Sequence, residues 1–319
     1  MKIQSINQWF QTSGGAWIAL AAMLSMASPA SAEGDKLRGG GAPFTKIYAF
    51  GDSLSDTGNF FALSGSPGEP YFEGRFSNGP VWIEYLAQDL GMGGDDVINY
   101  AVGGATTGRE NNLDIPGYTD FPGLQDQLDF FEDDLGDRPA DRRALYIVWA
   151  GANDFFVSED GPEETIASAI ENTAVAVQRL YAAGARRIMV VNLPDLGLTP
   201  LSRLWNQSAE LSFLSAIYNH SLEQMLDQLA FAGIVTSRLD AERLMQDIVA
   251  LPVSFGLSNV TDSFIDVGGD PSGFLFWDRL HPSTAGHVSI AEEAMAVLRS
   301  DFRHAWATPR NSRVRQASH

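Results

Sequence analysis

The sequence predicts an α/β fold in which a parallel β-sheet is covered by helices on both faces. Short runs rich in Val, Ile and aromatic residues alternate with segments of helical length. Polar, glycine-containing motifs follow three of these runs directly. Alternating β and α segments joined by long crossovers produce a parallel sheet that is buried on both faces. The strands' carboxyl ends then share one edge, where open α/β sheets place their functional sites.

The individual elements follow from local composition. Five segments enriched in Val, Ile or aromatic residues are predicted as strands, at residues 46–50, 97–100, 145–149, 187–192 and 234–239. Residues 164–183 show a clear helical period. The predicted buried stripe of that helix comprises Ile166, Ile170, Ala174, Val177 and Tyr181. Gly184 follows and is placed to end the helix.

The two ends of the chain differ in composition from its centre. Lys2, an apolar stretch at 16–26 and small residues at Ala30 and Ala32 predict a signal peptide over residues 1–32, cleaved before Glu33. The apolar stretch is too short to span a bilayer, so no integral membrane segment is expected after cleavage. Residues 33–43 form a Gly-rich connector, 44–302 one domain and 303–319 a polar tail predicted to be disordered. The expected location is secreted or periplasmic.

Charge and cysteine content narrow the function classes. The net charge is −19, and it becomes −20 without residues 1–32 because Lys2 is the only charged residue there. Such an acidic chain disfavours binding to nucleic acid or to anionic membranes. The chain has no cysteine, and at 319 residues it can bury a core without disulfides. No zinc or EF-hand motif is present, so neither a metal nor another cofactor is expected.

Ser53 is the candidate nucleophile. It lies in the sharp turn Gly-Asp-Ser-Leu directly after the first predicted strand. A serine hydroxyl needs a base and free backbone N–H groups around it to attack a carbonyl carbon. Asp278 lies three residues before His281, so one short loop can supply both groups. The carboxylate can hold the ring nitrogen that faces away from the serine.

Two further motifs follow the second and third predicted strands. The first contains Gly103 and Gly104, and the second contains Asn153 and Asp154. Each motif taken alone favours a structural interpretation: a turn at Ser53, close packing at the glycines, or a helix N-cap at Asn153 or Asp154. All of them together, in one order and each after a β-like run, favour a catalytic site.

These segments, in this order and spacing, resemble the four conserved blocks of the GDSL, or SGNH, hydrolase family, over roughly residues 45–299. Secondary similarities at residues 74–82, 190–197 and 255–261 indicate its lipase-like branch of secreted bacterial esterases and plant lipases. The resemblance implies a three-layer α/β/α, flavodoxin-like fold. It also implies a sheet of five parallel strands in the order 2-1-3-4-5.

The resemblance also assigns residue roles. Ser53 is implied as the nucleophile, with Asp278 and His281 completing a triad. The backbone N–H groups of Ser53 and Gly104 and the side-chain amide of Asn153 are implied as the oxyanion hole. Gly104 is preferred over Gly103 by its position relative to Asn99.

The function expected from these residues is a secreted serine esterase or lipase acting through an acyl-enzyme. Its substrates are expected to be carboxylic esters with short to medium acyl chains, with lipid esters among them. A carbohydrate O-deacetylase and a non-catalytic binding protein on the same scaffold stay as alternatives. An α/β-hydrolase is disfavoured, because Gly-x-Ser-x-Gly is absent and the acid lies close to the histidine.

Other residues near the motifs receive separate interpretations. His287 is the one other histidine considered as the base. Its position at the start of a predicted helix favours a packing or capping role instead. Asp52 and Asp56 are expected to bond the backbone of the serine turn. Six aromatic residues near the motifs could either line an acyl-binding site or belong to the core. They are Tyr71, Phe72, Phe76, Trp82, Phe155 and Phe156.

Overall fold

The computed structural model describes residues 43–302 except 114, 116–119 and 159. The predicted signal peptide, nearly all of the connector and the polar tail lie outside the described residues. The described part contains no helix that is both long and apolar enough to cross a bilayer.

The central sheet has five parallel strands in the order β2-β1-β3-β4-β5. In chain order the strands are β1 (Ile47–Gly51), β2 (Val97–Asn99), β3 (Leu145–Trp149), β4 (Ile188–Val191) and β5 (Thr236–Leu239). The sequence-based prediction of the strands, their direction and their order is confirmed. The bounds differ by one or two residues at several strand ends, where pairing stops before the β-rich composition does.

Helices cover both faces of this sheet. They are α1 (Asn59–Ser64), α2 (Trp82–Asp89), α3 (Leu124–Leu135), α4 (Asp154–Val157), α5 (Pro162–Ala183), α6 (Pro200–Trp205), α7 (Ser208–Phe231), α8 (Ala241–Ala250), α9 (Phe264–Val267) and α10 (Thr284–Asp301). One core lies between the sheet and helices α2, α8 and α10. The other lies between the sheet and helices α3, α5 and α7. The three-layer α/β/α architecture is therefore confirmed.

The predicted stripe of α5 was displaced by part of a helical turn. Ile166 and Val177 are buried as expected, but Ile170, Ala174 and Tyr181 are only half-buried. The centre of the buried face is formed by Thr165, Ala169, Thr173, Ala176 and Leu180. Small side chains let the helix approach the sheet closely, and the larger residues pack along its sides. Helical period alone does not distinguish these two arrangements.

A second, two-stranded sheet precedes the histidine loop. It pairs β6 (Asn259–Ser263) with β7 (Phe274–Phe276). The loop after β7 folds back on itself, because the Trp277 N–H donates to the His281 carbonyl at 2.9 Å. An isolated antiparallel bridge also joins Phe276 to Pro282. This small sheet thereby anchors the loop that carries Asp278 and His281.

Candidate active site

The serine turn begins where β1 ends. Gly51 has φ +153°, and a side chain there would meet the Trp149 carbonyl oxygen at 2.0 Å, so only glycine fits. The Gln127 side chain holds both backbone polar groups of Gly51, each at 2.8 Å. The N–H groups of Ser55 and Asp56 return to the Asp52 carbonyl at 3.1 and 3.0 Å, which closes the turn.

The two flanking aspartates bond backbone N–H groups, as expected from the sequence. Asp52 Oδ1 accepts from the Leu54 N–H at 3.0 Å. Asp56 accepts the N–H groups of three residues at the start of α1 and, at 2.8 Å, the N–H of Gly103. Asp56 therefore ties the serine turn to the glycine loop. Burial raises the pKa of Asp52 to about 7.

The structure brings Ser53, His281 and Asp278 together. Ser53 Oγ lies 2.9 Å from His281 Nε2, and His281 Nδ1 lies 2.7 Å from Asp278 Oδ2. Because a carboxylate only accepts hydrogen bonds, Nδ1 carries the proton and Nε2 is free to accept from the serine hydroxyl. The geometry can therefore move a proton from Ser53 to His281.

Asp278 is fully buried yet held as a charged group. Burial alone would raise its pKa, but the His281 ring and the N–H groups of Leu280 and His281 outweigh it and lower the pKa below its ordinary value. The two N–H groups donate to Oδ1 at 2.7 and 2.6 Å. An ionised Asp278 can stabilise the imidazolium that forms when His281 takes a proton.

Tyr71 is a further member of this cluster. Its hydroxyl donates to Asp278 Oδ2 at 2.9 Å. The Tyr71 ring packs edge-on against Phe76, and the Phe76 ring lies 5.0 Å from the His281 ring. Sequence reasoning placed Tyr71 near the site only as an aromatic side chain. A contact between residues 207 positions apart leaves no local signal for its hydroxyl.

The backbone N–H groups of the predicted oxyanion donors differ in whether they already have an acceptor. Within the described ranges, no residue accepts from the backbone N–H of Ser53 or of Gly104. The Gly103 N–H, in contrast, is already bonded to Asp56. Gly104 has φ +79°, and a Cβ there would meet two asparagine oxygens at 2.4 and 2.6 Å. The Gly103 N–H is thus occupied, whereas the Gly104 N–H has no acceptor among the described residues.

Asn153 is fixed in one orientation by its neighbours. Its Nδ2 donates to the Ala105 carbonyl at 3.0 Å and makes a longer, 3.4 Å contact with Asp52 Oδ2. Because a carbonyl oxygen can only accept, the nitrogen must face Ala105. The second N–H of this amide faces Asp52 across the weaker 3.4 Å contact, so it can donate to a substrate oxygen only by giving up that contact.

Asn112 contacts both sides of this donor group and was not identified from the sequence. Its Nδ2 donates to Asn153 Oδ1 at 2.6 Å, and its backbone N–H donates to the Gly104 carbonyl at 2.8 Å. It lies in the long connection between β2 and α3, where no periodicity marks it. Nearby, the Asp154 carboxylate holds the N–H and hydroxyl of Thr107. Asp154 thus holds the loop that contains Thr107 and does not cap a helix.

His287 does not contact Ser53. It is buried in the first turn of α10, and neither ring nitrogen has a hydrogen-bond partner in the part of the chain that the structure describes. Burial, with a smaller contribution from nearby His281, lowers its pKa to about 3. A neutral imidazole with no hydrogen bond to Ser53 does not serve as its base. The cap of α10 is the Ser283 hydroxyl.

An apolar pocket opens from the reaction centre into the core between α8 and α10. Ser53, Asn153 and His281 are part of its lining, and most of the other lining side chains are aliphatic. None of the six aromatic residues considered for an acyl site is part of the described lining. Phe76, Trp82 and Phe155 are instead buried core residues. The core interpretation is therefore the one the structure favours for these three.

Comparison with known proteins places this fold and site in a family. The chain matches the GDSL-like Lipase/Acylhydrolase family over residues 47–294 and belongs to that family. The resemblance inferred from the four motifs is thereby confirmed. The protein is a carboxylic ester hydrolase.

Curated relatives match the chain at moderate identity. A phosphatidylcholine-sterol acyltransferase of Aeromonas hydrophila is 30% identical, over 81% of this chain and 91% of the relative. A thermolabile hemolysin of Vibrio parahaemolyticus is 29% identical, over 78% of this chain and 63% of the hemolysin. Among solved structures, a catalytic mutant of an acetylxylan esterase from Geobacillus stearothermophilus aligns with a TM-score of 0.47 and 16% identity, covering 80% of this chain and 94% of that one.

Proposed function

We propose that this enzyme is an exported serine esterase or lipase that cleaves carboxylic esters of short to medium acyl chains, including lipid esters, through an acyl-enzyme on Ser53. The observation that carries the proposal is the continuous hydrogen-bonded chain Ser53–His281–Asp278, with links of 2.9 and 2.7 Å. Both links are within the range in which a positioned base can take a proton.

The reaction proceeds in two halves. Ser53 Oγ attacks the ester carbonyl carbon while His281 Nε2 takes the serine proton, and Asp278 stabilises the resulting imidazolium. The tetrahedral intermediate collapses, His281 protonates the departing alkoxide, and an alcohol leaves. Water, deprotonated by His281, then attacks the acyl-serine, and collapse releases the carboxylic acid and the free serine.

Three N–H donors stabilise the negative oxygen of each tetrahedral intermediate: the backbone N–H groups of Ser53 and Gly104 and the side chain of Asn153. Support comes from the absence of acceptors for the two backbone groups among the described residues. Backbone donors fixed in advance need no reorganisation when charge develops on the substrate oxygen. Asn112 and Tyr71 act indirectly, by holding Asn153 and Asp278.

Two independent observations support this substrate class. The lining of the pocket beside Ser53 is mainly aliphatic, which suits an acyl chain better than a sugar. One relative carries a lipid-related name, phosphatidylcholine-sterol acyltransferase. Export is proposed from the signal-peptide pattern of residues 1–32.

The test is hydrolysis of p-nitrophenyl esters, acetate through palmitate, by the wild type, Ser53→Ala and Ser55→Ala. Ser55 lies in the same turn, and its hydroxyl accepts from Trp82 at 3.1 Å, so its loss affects packing and not the reaction. We expect Ser53→Ala to lose activity and Ser55→Ala to retain it. A folded wild type without activity on every ester, but active on an acetylated oligosaccharide, would establish the deacetylase alternative instead.

A further inference from the structure

We infer that the pocket between α8 and α10 holds the acyl chain of the substrate and that Ile248 sets the length it accepts. The inference rests on the proposed function, because it takes the ester carbonyl to lie at Ser53. It assigns a specific side of the molecule, and specific side chains, to the acid half of the ester.

The position of the pocket links it to the reaction centre. Ser53 and His281 form part of its lining, and Leu280 lies beside them on the histidine loop. Both flanking helices begin at the carboxyl edge of the sheet, α8 directly after β5 and α10 directly after the histidine loop. A group that enters at Ser53 therefore passes between these helices toward the core.

The walls of the pocket are mainly aliphatic. Leu244, Met245 and Ile248 contribute from α8, Ile290 from α10 and Leu196 from the connection after β4. All five are buried. Polar groups in the lining are mostly at the reaction end, with Asp52, Ser53, Asn153 and His281. A ligand with one polar end and a hydrocarbon tail matches this distribution.

The two flanking helices are held in place from outside the pocket. Arg243 of α8 forms a 2.6 Å ion pair with Glu293 of α10. The start of α8 is fixed by Asn192, whose side-chain oxygen accepts from the Ala241 N–H at 2.6 Å. The pocket is therefore formed before substrate binds, so that chain length is read by fit and not by rearrangement.

Ile248 lies toward the inner end of the α8 wall. It follows Leu244 by one helical turn, about 6 Å further from the start of the helix at 1.5 Å per residue. Each additional methylene that the pocket can bury should raise kcat/KM by about fourfold, until the chain reaches the end wall. Beyond that length kcat/KM should stop rising.

The experiment compares kcat/KM for p-nitrophenyl acetate, butyrate, hexanoate, octanoate and palmitate in four full-length proteins. They are the wild type, Ile248→Trp, Ile248→Ala and Gln246→Trp. Gln246 is exposed on the outer face of the same helix, so its variant adds the same bulk outside the pocket. Circular dichroism checks that each variant is folded.

We expect Ile248→Trp to lower the octanoate-to-acetate ratio of kcat/KM by at least about tenfold, because it removes room for roughly two or more methylenes at about fourfold each. Acetate hydrolysis by the control variant Gln246→Trp should stay within about threefold of wild type. Ile248→Ala should move the preference to longer chains, and Gln246→Trp should keep the wild-type profile.

An unchanged octanoate-to-acetate ratio in Ile248→Ala, or in folded Ile248→Trp, overturns the acyl-chain site. The proposed serine chemistry would survive that result, since Ser53→Ala would still abolish acetate hydrolysis. If Ser53→Ala retained acetate hydrolysis, the proposed nucleophile would fail first and the acyl-chain site would fall with it. The two failures are thus distinguishable in one set of assays.

Discussion

Replacing Asn112 by aspartate tests how the oxyanion donors are held. The substitution exchanges an NH₂ group for an oxygen and leaves side-chain shape nearly unchanged. In the wild type the Asn112 Nδ2 donates to Asn153 Oδ1 at 2.6 Å. Aspartate has no donor when ionised, so two acceptors would face each other at that distance. The Asn153 amide must then shift or rotate, and rotation turns its oxygen toward the substrate oxyanion.

The magnitude follows from what each variant removes. Loss of one oxyanion donor costs about 2.7–4 kcal/mol, or roughly 10²–10³ in kcat, so Asn112→Asp should lose at least about a hundredfold. Asn112→Ala deletes only one neutral hydrogen bond, and Asn153 stays bonded to the Ala105 carbonyl at 3.0 Å. A bond of that kind contributes about 0.5–1.5 kcal/mol, which is roughly 2- to 13-fold.

The assay is steady-state hydrolysis of p-nitrophenyl butyrate, with kcat and KM measured separately. Both Asn112 variants should lose kcat with little change in KM, because the lost interaction belongs to the transition state. Asn206→Asp adds the same charge at an exposed, left-handed position that tolerates aspartate, and it should be unaffected. A folded Asn112→Asp with kcat within fivefold of Asn112→Ala would refute the reasoning.

Three further predictions concern Tyr71, Asp52 and His287. Tyr71→Phe removes the hydroxyl that donates to Asp278, a charged hydrogen bond of about 1.5–3 kcal/mol. It should lower kcat by about tenfold or more in the butyrate assay, whereas Tyr100→Phe, which loses a similar bond to a remote exposed carboxylate, should not. The pKa of Asp52 is about 7 in the folded state and 3.8 in the unfolded state. The buried charge of Asp52 therefore lowers the stability of the fold above pH 7, and this loss disappears as the pH falls toward 4 and the carboxylate is protonated. Asp52→Asn should therefore exceed the wild type in unfolding free energy by up to about 4 kcal/mol at pH 8, with the gap shrinking at pH 5; urea curves parallel at the two pH values would contradict this. The pKa of His287 is lowered from 6.5 to about 3, so the wild type loses stability as the pH falls below 6.5. The difference in unfolding free energy between His287→Leu and the wild type should therefore shift by about 2 kcal/mol in favour of the variant between pH 7 and pH 5. A constant difference in urea midpoint would exclude that linkage.

Sequence patterns were sufficient to predict the sheet and to predict that the motifs following its strands lie close together. Ser53 and Asn153 follow β1 and β3, which are neighbours in the sheet. Strands that run parallel bring their carboxyl ends to one edge, so two motifs that are distant in the chain become adjacent. The pairing of Asp278 with His281 is local, and a three-residue spacing within a turn is enough to predict it.

The supporting contacts could not be predicted in the same way. Tyr71 and Asn112 lie in long connections without hydrophobic period, and their bonds join residues 207 and 41 positions apart. The path of such loops depends on packing that no local pattern encodes. The acyl-chain pocket has the same origin, because it arises from the separation of two helices and not from a motif.

The central claim is that Ser53 forms a covalent acyl intermediate, and labelling with a p-nitrophenyl alkylphosphonate tests it most directly. An activated serine oxygen attacks phosphorus and displaces p-nitrophenolate, leaving a stable adduct. Mass spectrometry of the intact protein and its peptides should show a single adduct, on the peptide containing Ser53, in the wild type and in Ser55→Ala. Ser53→Ala should remain unlabelled. Equal labelling of Ser53→Ala, or an adduct on another residue of the wild type, would contradict the mechanism.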